Sequence, residues 1–403
     1  MQNRRYSAGG RAGRRPASHG KPRFKSNNRS SKRGRGQDID PSRFVKAAKS
    51  VEEVKYEPTH SFDDFALADV LKKNLAERGY VHPTQIQDHS IPIGLEGGDI
   101  VGVADTGTGK TAAFLLPILN HLLRNTKEQA LILAPTRELA LQIQEESRLF
   151  AKGTALKDVL IIGGVPIHKQ MRKLDKRPAL IIGTPGRIKD HIERKTLKLE
   201  NTTKVVLDEV DRMLDMGFVN DIRSILSKLP DHKQSFFFSA TITPTIQDLI
   251  KGFGDSPKTI MTKTAETSEN VEQTVEFYTD KGQKLTLLHD LLISDAVSKT
   301  IVFTETKFGA DRLAKSLTER GFKADAIHGN KSQGKRQRAL KKFRDSDIEV
   351  LVATDVAARG IDVTGISHIV NYEVPQTYAD YTHRIGRAGR AGNMGYAVTL
   401  VQK

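Results

Sequence analysis

The sequence predicts an α/β protein of two tandem parallel-sheet domains that face each other across a cleft. Three observations carry that reading. From Phe62 onward, short β-branched runs alternate with helical stretches, as βα units in a parallel sheet do. The unusual polar clusters come immediately after those runs, and open α/β sheets bind ligands outside the carboxyl ends of their strands. A polar stretch over 262–270 lacks large apolar residues and reads as a linker. It divides the folded part into a first domain over about 60–258 and a second over 272–403, with the span 259–271 joining them.

In the first domain strands are expected over 100–103, 131–133, 180–182, 205–207 and 236–238. In the second they are expected over 300–303, 323–327, 350–352, 368–370 and 397–401. The stretches 111–123, 138–149 and 307–317 space their apolar residues as helices do, and Gly321 stands where a cap would end one of them. A mixed-charge connector over 38–59 has room for one short helix and suggests no chemistry.

Charge is distributed unevenly. The chain has 64 Lys and Arg against 48 Asp and Glu, a net charge of +16. Residues 1–37 hold 12 of those cations and no acid, which leaves the remainder at +4. This leader is rich in Arg, Gly, Ser and Asn and has no apolar period with which to bury a face, so it is expected to be disordered. It could be a solubilising tail, or a transit peptide, although Gly and Pro break up any amphipathic helix there. The favoured use is a nucleic-acid tether, because Arg pairs with phosphate and stacks on bases. Zero Cys excludes a disulfide scaffold, a Cys-based zinc site and a thiol nucleophile. No stretch approaches the roughly 20 apolar residues of a membrane-spanning helix. A soluble, cytoplasmic protein with a polyanionic partner is expected.

Chemistry concentrates at two strand ends. After the strand at 100–103 comes Ala104-Asp105-Thr106-Gly107-Thr108-Gly109-Lys110-Thr111, then a helix. This is a phosphate loop in its strand–loop–helix setting, with Ala104 in place of the first Gly of the strict pattern. Backbone N–H groups from Thr106 to Gly109 and the helix N-terminus can cradle phosphate oxygens. Lys110 would reach the β- and γ-phosphates, and the Thr111 hydroxyl would ligate Mg²⁺. Following the strand at 205–207 stands Asp208-Glu209-Val210-Asp211. Alone, such an acidic run is an ordinary solvated turn; beside a phosphate loop, Asp208 is the expected carboxylate for Mg²⁺. Glu209 can orient or deprotonate the attacking water, and Asp211 is left to organise its neighbours. Together the two clusters point to hydrolysis of a nucleoside triphosphate.

With these residues in place, the chain resembles the DEAD-box ATP-dependent RNA helicases in order over about 62–396. The resemblance implies two RecA-like domains, ATP with Mg²⁺, and RNA as partner. Upstream, Gly79-Tyr80-Val81-His82-Pro83-Thr84-Gln85-Ile86-Gln87 looks like the family's adenine-reading element, with Phe62 at the isolated aromatic position. By resemblance Gln87 bonds the adenine edge and Tyr80 packs on the base. Ala134-Pro135-Thr136-Arg137-Glu138-Leu139-Ala140, Gly163-Gly164 and Thr184-Pro185-Gly186-Arg187 are similar to the RNA-backbone contacts of the first domain. Pro135, Thr136, Arg137, Gly164, Thr184 and Arg187 are the RNA candidates there, small or hydrogen-bonding residues suited to a phosphodiester. Ser239-Ala240-Thr241 resembles the segment that couples nucleotide state to RNA binding. In the second domain, Thr304, Gln333 with Arg336, and Thr354 fall at further RNA positions. By the family's pattern Asp362 meets the ribose, Arg387 and Arg390 are arginine fingers, and His383 links to Ser239, Thr241 and Asp211.

Three positions depart from that pattern. Val210 stands where Ala gives the family its name, Asp105 adds a carboxylate beside the phosphates, and Ala388 replaces a common Thr. None removes a group assigned to catalysis. Splitting the site between domains makes assembly conditional, since an arginine finger contributes roughly 10³–10⁵ in rate. Local, ATP-dependent separation of short RNA duplexes by a monomer is expected, with ribosomal or RNA-decay proteins as candidate partners. An ATP-gated RNA clamp, a related DNA helicase and an unrelated phosphotransferase are the rival readings. Deleting residues 1–37 is expected to weaken RNA affinity. It should also flatten the salt dependence by about 0.7 log unit per log salt for each lost phosphate contact. Unchanged affinity and slope in a titration would make the leader padding.

Overall fold

The computed structural model describes residues 39–48, 56–104, 107–262, 270–294, 297–358, 363–389 and 393–403. The leader lies outside the described residues, as do Asp105, Thr106, Asp362, Arg390 and residues 263–269 of the linker. The first sheet holds β1 (Ile100–Val103), β2 (Gln129–Leu133), β3 (Asp158–Ile161), β4 (Leu180–Gly183), β5 (Thr202–Leu207), β6 (Gln234–Ser239) and β7 (Lys258–Met261). Its spatial order is β3-β4-β2-β5-β6-β1-β7, with every pair parallel. The second sheet holds β8 (Val271–Tyr278), β9 (Thr300–Phe303), β10 (Ala324–Ile327), β11 (Val350–Ala353), β12 (His368–Asn371) and β13 (Gly395–Gln402). Its order is β10-β11-β9-β12-β13-β8, again all parallel.

Helices cover both faces of each sheet, which is why the inner strands are continuous apolar runs. Along β2, Ala130 and Ile132 join the core built with Ile86, Phe114 and Ile118, while Leu131 and Leu133 join Met213, Ile222 and Ile225 on the other face. The expected helices appear as Lys110–Arg124, Arg137–Phe150 and Lys307–Glu319, the last ended by Gly321 at φ +95°. Because β6 lies between β1 and β5, the loops after these three strands meet at one end of the sheet. Among the described residues no helix is long and apolar enough to cross a membrane.

The ten expected strands are present, and the three missed ones are all edge strands: β7 and β8 are half-wetted and lack a continuous apolar run, whereas β3 carries the apolar Val159-Leu160-Ile161. β7 turns only Ile260 inward, and β8 alternates buried Val271 and Gln273 with exposed Glu272 and Thr274. Residues 259–261 and 271, expected to belong to the linker, are thus sheet residues. The connector's short helix is a 3-10 turn, Pro41–Phe44, begun by Asp40 accepting from the Ser42 N–H at 2.9 Å. Phe44 is fully buried among the side chains of the second lobe.

Gly102 in β1 sets how closely the strand carrying the phosphate loop packs. A Cβ there would lie 2.5 Å from the Phe238 ring and 3.3 Å from Ile86. Gly102→Ala is expected to destabilise the first lobe by about 1–3 kcal/mol through overpacking. A lower urea midpoint for that lobe's unfolding checks this.

Candidate nucleotide site and interlobe interface

The phosphate loop is stitched to the helix Gln85–Leu95. Thr84 caps that helix: its N–H donates to Gln87 Oε1 at 2.9 Å, and its hydroxyl donates to the Thr108 carbonyl at 2.8 Å. Gln87 is buried and donates from Nε2 to the Gly109 carbonyl at 3.1 Å, which leaves its second amide hydrogen for another acceptor. Gly109 adopts φ +90°, and a Cβ there would collide with Gln87 Nε2, so only glycine fits. Lys110 opens the next helix, is buried, and donates from Nζ to the Ala104 carbonyl at 2.8 Å. Phe62 is a core residue rather than a lining one: it packs edge-on to Tyr80 at 5.7 Å between centroids.

At the end of β5 the carboxylates lie within protein. Asp208 accepts from the Glu209 N–H at 3.0 Å. Burial pushes its carboxyl up to about 7, against the pull of nearby Lys110, and the Glu209 charge adds to the rise. Glu209 sits at φ +52°, a left-handed conformation that costs a non-glycine residue of order 1–3 kcal/mol and recurs at functional sites. Arg212 lies 3.2 Å from its carboxylate. Asp211 binds the loop after β6, accepting from the N–H groups of Ala240 (3.0 Å) and Thr241 (3.1 Å) and from the Thr241 hydroxyl (3.3 Å). Ser239 closes the unit by donating to the Thr241 carbonyl at 2.7 Å. Asp211, Ser239 and Thr241 therefore form one hydrogen-bonded group next to the acids.

A cavity of about 470 Å³ connects these parts. Tyr80, Gly107, Gly109, Lys110, Thr111, Asp208 and Glu209 line it from the first lobe, and Val363, Thr364 and Arg387 from the second. Arg387 follows the helix Tyr378–Ile385 and is itself buried. That helix is clamped by Arg384, which bonds Asp355 at 2.6 and 2.8 Å, Asn371 Oδ1 at 3.0 Å and the Glu373 carbonyl at 2.9 Å. His383 shares a small crevice with Asp355, Asp380 and Arg387.

The RNA candidates divide into two groups. Gly164 is exposed, and the Arg137 guanidinium lies over it and Gly163. Arg187 is half-buried and donates to the Val165 carbonyl at 3.0 Å, so Arg137 and Arg187 both attend the 163–165 loop. Thr136 and Thr184 are buried helix caps, the first accepting from the Leu139 N–H at 3.2 Å; Pro135, Thr304 and Thr354 are also buried. Gln333 and Arg336 point into the first lobe, bonding Glu138 at 3.3 and 2.7 Å.

Two family models match the chain: the DEAD/DEAH box helicase domain over residues 84–249 and the helicase conserved C-terminal domain over 283–392. The ATP-dependent RNA helicase CshA of Listeria monocytogenes is 44% identical over 342 residues, covering 85% of this chain and 66% of that protein. The chain belongs to the DEAD-box family of ATP-dependent RNA helicases. Among solved structures, the DEAD-box protein of Methanococcus jannaschii is 38% identical at a TM-score of 0.50, covering 85% of this chain and 93% of that one. Saccharomyces cerevisiae Dbp5 bound to RNA and ADP-BeF3 is 32% identical at 0.75, covering 85% and 90%. The match with CshA thus leaves about a third of that relative's length outside it.

Within this DEAD-box protein two of the three departures are accommodated sterically, and the third, Asp105, lies outside the described residues. Val210 is fully buried in the core of its lobe, and Ala388 is fully buried with Gly395 against it, where a larger pair would crowd. Sequence reading missed Glu138, although it stands in the quoted Pro-Thr-Arg-Glu-Leu run; an acid next to an RNA-facing Arg signals a partner other than phosphate. It also missed Arg384 and Asp355, whose pairing spans two motifs.

Glu138 and Arg336 are both almost wholly buried, so removing either strands a charge, which costs about 3–5 kcal/mol in comparable pairs. Glu138→Ala and Arg336→Ala are each expected to depopulate the docked arrangement of the lobes, and the double variant to lose little more than either single one. A double-mutant cycle on interlobe energy transfer checks the coupling.

Proposed function

We propose that this chain hydrolyses ATP when RNA bridges its lobes and uses the closure to separate short RNA duplexes or displace RNA-bound proteins. The observation that carries the reading is Arg387 lining the same cavity as Lys110, Asp208 and Glu209. The similarity to Dbp5 bound to RNA and ADP-BeF3 supports it, because that likeness extends over both lobes.

The triphosphate would lie on the loop 106–111, its adenine between Tyr80 and the free amide hydrogen of Gln87, its ribose near Asp362. Oxygen donors suit a hard cation, so Asp208 and the Thr111 hydroxyl would hold Mg²⁺, which supplies charge neutralisation on the phosphates. Glu209, which lines the cavity, would take the proton of the attacking water. Arg387 with Arg390 would stabilise charge on the transferring phosphoryl only while the lobes are docked. Asp211, Ser239, Thr241 and His383 would report that state to the RNA groove.

RNA would run past Gly164, Arg137, Arg187 and Thr184 in the first lobe and Thr304 and Thr354 in the second, through backbone contacts indifferent to sequence. We assign Gln333 and Arg336 to docking the lobes, the step that shapes this groove, rather than to direct contact. A groove shaped for one bent strand would exclude its complement, and product release would reopen it. The two helicase lobes would be about 60–261 and 271–403, acting as a monomer in the cytoplasm.

Glu209→Gln is expected to lower RNA-stimulated kcat by about 10²–10⁴-fold while ATP-dependent RNA binding persists. Strand displacement by the unaltered chain should succeed on short duplexes and fail on long ones. Normal turnover in Glu209→Gln, or ATPase activity indifferent to RNA, overturns the assignment.

A further inference from the structure

The connector ahead of the first lobe is anchored in both lobes. On the second, Lys46 pairs antiparallel with Gln273 of β8, its N–H donating to the Gln273 carbonyl at 3.1 Å and its carbonyl accepting from the Gln273 N–H at 2.9 Å. This covers the open edge of the second sheet, since β8 is its last strand. Phe44, fully buried, lies 4.6 Å from the Tyr381 ring. The Tyr381 hydroxyl donates to Gln273 Oε1 at 2.9 Å, and the Arg43 guanidinium sits 4.4 Å over Tyr378. Tyr378 and Tyr381 belong to the helix Tyr378–Ile385 that leads into Arg387.

On the first lobe the same connector closes on Asp88, a buried carboxylate. Asp88 Oδ2 accepts from the Tyr56 hydroxyl at 2.5 Å and the Thr59 N–H at 2.7 Å, and its Oδ1 lies 2.7 Å from His60 Nδ1. Asp88 follows Gln87 directly, on the helix that braces the phosphate loop. The two anchors thus fall on the two elements that bring Gln87 and Arg387 to the nucleotide cavity. Ten peptide steps join Lys46 to Tyr56, a reach of at most about 36 Å.

We propose that the connector, through its anchors at Arg43–Lys46 on the second lobe and Tyr56–His60 on the first, is a second interlobe strap in addition to the linker, with Phe44 as the positioning residue that keeps the Arg387 half of the site within reach of the Gln87 half. This rests on the proposed closure of the cleft. A second tether shrinks the volume the open lobes explore, so it raises the effective concentration of one half-site at the other. It acts on the probability of closure, not on the chemistry once closed. The signature is therefore in the RNA concentration needed for half-maximal ATPase, with kcat at saturating RNA unchanged.

The test replaces residues 49–55 of the full chain with the recognition site of a specific protease and compares uncut with fully cut protein. Cutting is expected to raise the KM for RNA about 3- to 10-fold at constant kcat. Phe44→Ala in the uncut chain should move KM in the same direction. Because the chain has no Cys, Ser227→Cys and Lys315→Cys place one spin label on each lobe, and cutting should broaden the interlobe distance distribution without nucleotide. Unchanged KM and distances after complete cleavage overturn the strap, as does a loss confined to kcat. If the uncut protein shows no stimulation by RNA, the function proposed above fails, and the distance measurement alone decides the strap.

Discussion

Buried charge is the constraint on which the rest of this structure depends. Lys110, Asp208, Glu209 and Arg387 surround one cavity and are each less than a tenth exposed. Charges withdrawn from water must be met by other charges or by dipoles. Burial lifts the Asp208 carboxyl toward neutrality even with Lys110 nearby. A polyanion with its cation completes the set, so the site is poised for a ligand that brings both signs of charge. Arg387, also buried, lines the same cavity from the second lobe.

Docking relies on the same physics. Glu138 and Arg336 meet 2.7 Å apart with almost no exposure, and a buried pair of this kind nearly breaks even against its own desolvation. Such a contact confers geometry more than stability. It specifies one arrangement of the lobes while leaving the free-energy difference between open and docked states small. That balance suits a protein whose closure is to be decided by what binds in the cleft, because a ligand shifts an equilibrium only by its differential affinity for the two states. A large apolar interface would hold the lobes shut regardless of ligand.

How far the sequence could be read follows from where each constraint originates. The loops after β1 and β5 were legible because phosphate and Mg²⁺ chemistry dictates residue types at short spacing, and the surrounding strands are buried on both faces. The edge strands β7 and β8 were not, since an edge tolerates the polar residues that otherwise signal a loop, whereas β3 went unread despite its apolar Val159-Leu160-Ile161. Gln333 and Arg336 resembled RNA contacts because a guanidinium and an amide serve a phosphate and a carboxylate equally well. Their partner Glu138 lies almost two hundred residues away, and no local pattern records that distance. Gln87 was read as facing a base, yet its carbonyl and one of its amide hydrogens brace the helix cap and the phosphate loop, a role visible only once the two loops are placed together.

The connector shows the same limit in sharper form. Its composition is polar and mixed in charge, and the Ala and Val residues spaced around Phe44 suggest a helix of its own rather than a ring buried in a distant lobe. Burial of that ring is specified entirely by the other end of the molecule, through Tyr381 and the edge of β8. The linker also delivers the chain into β8, whose Gln273 holds the connector from the other side. The covalent linker and the non-covalently docked connector therefore converge on one strand at the margin of the second sheet. That strand pairs along its length with β13, so a pull on either route is borne by a continuous parallel ladder. The alternation that hid β8 from the sequence is what allows it to serve: one face packs into the lobe, and its free edge stays available to receive the strap.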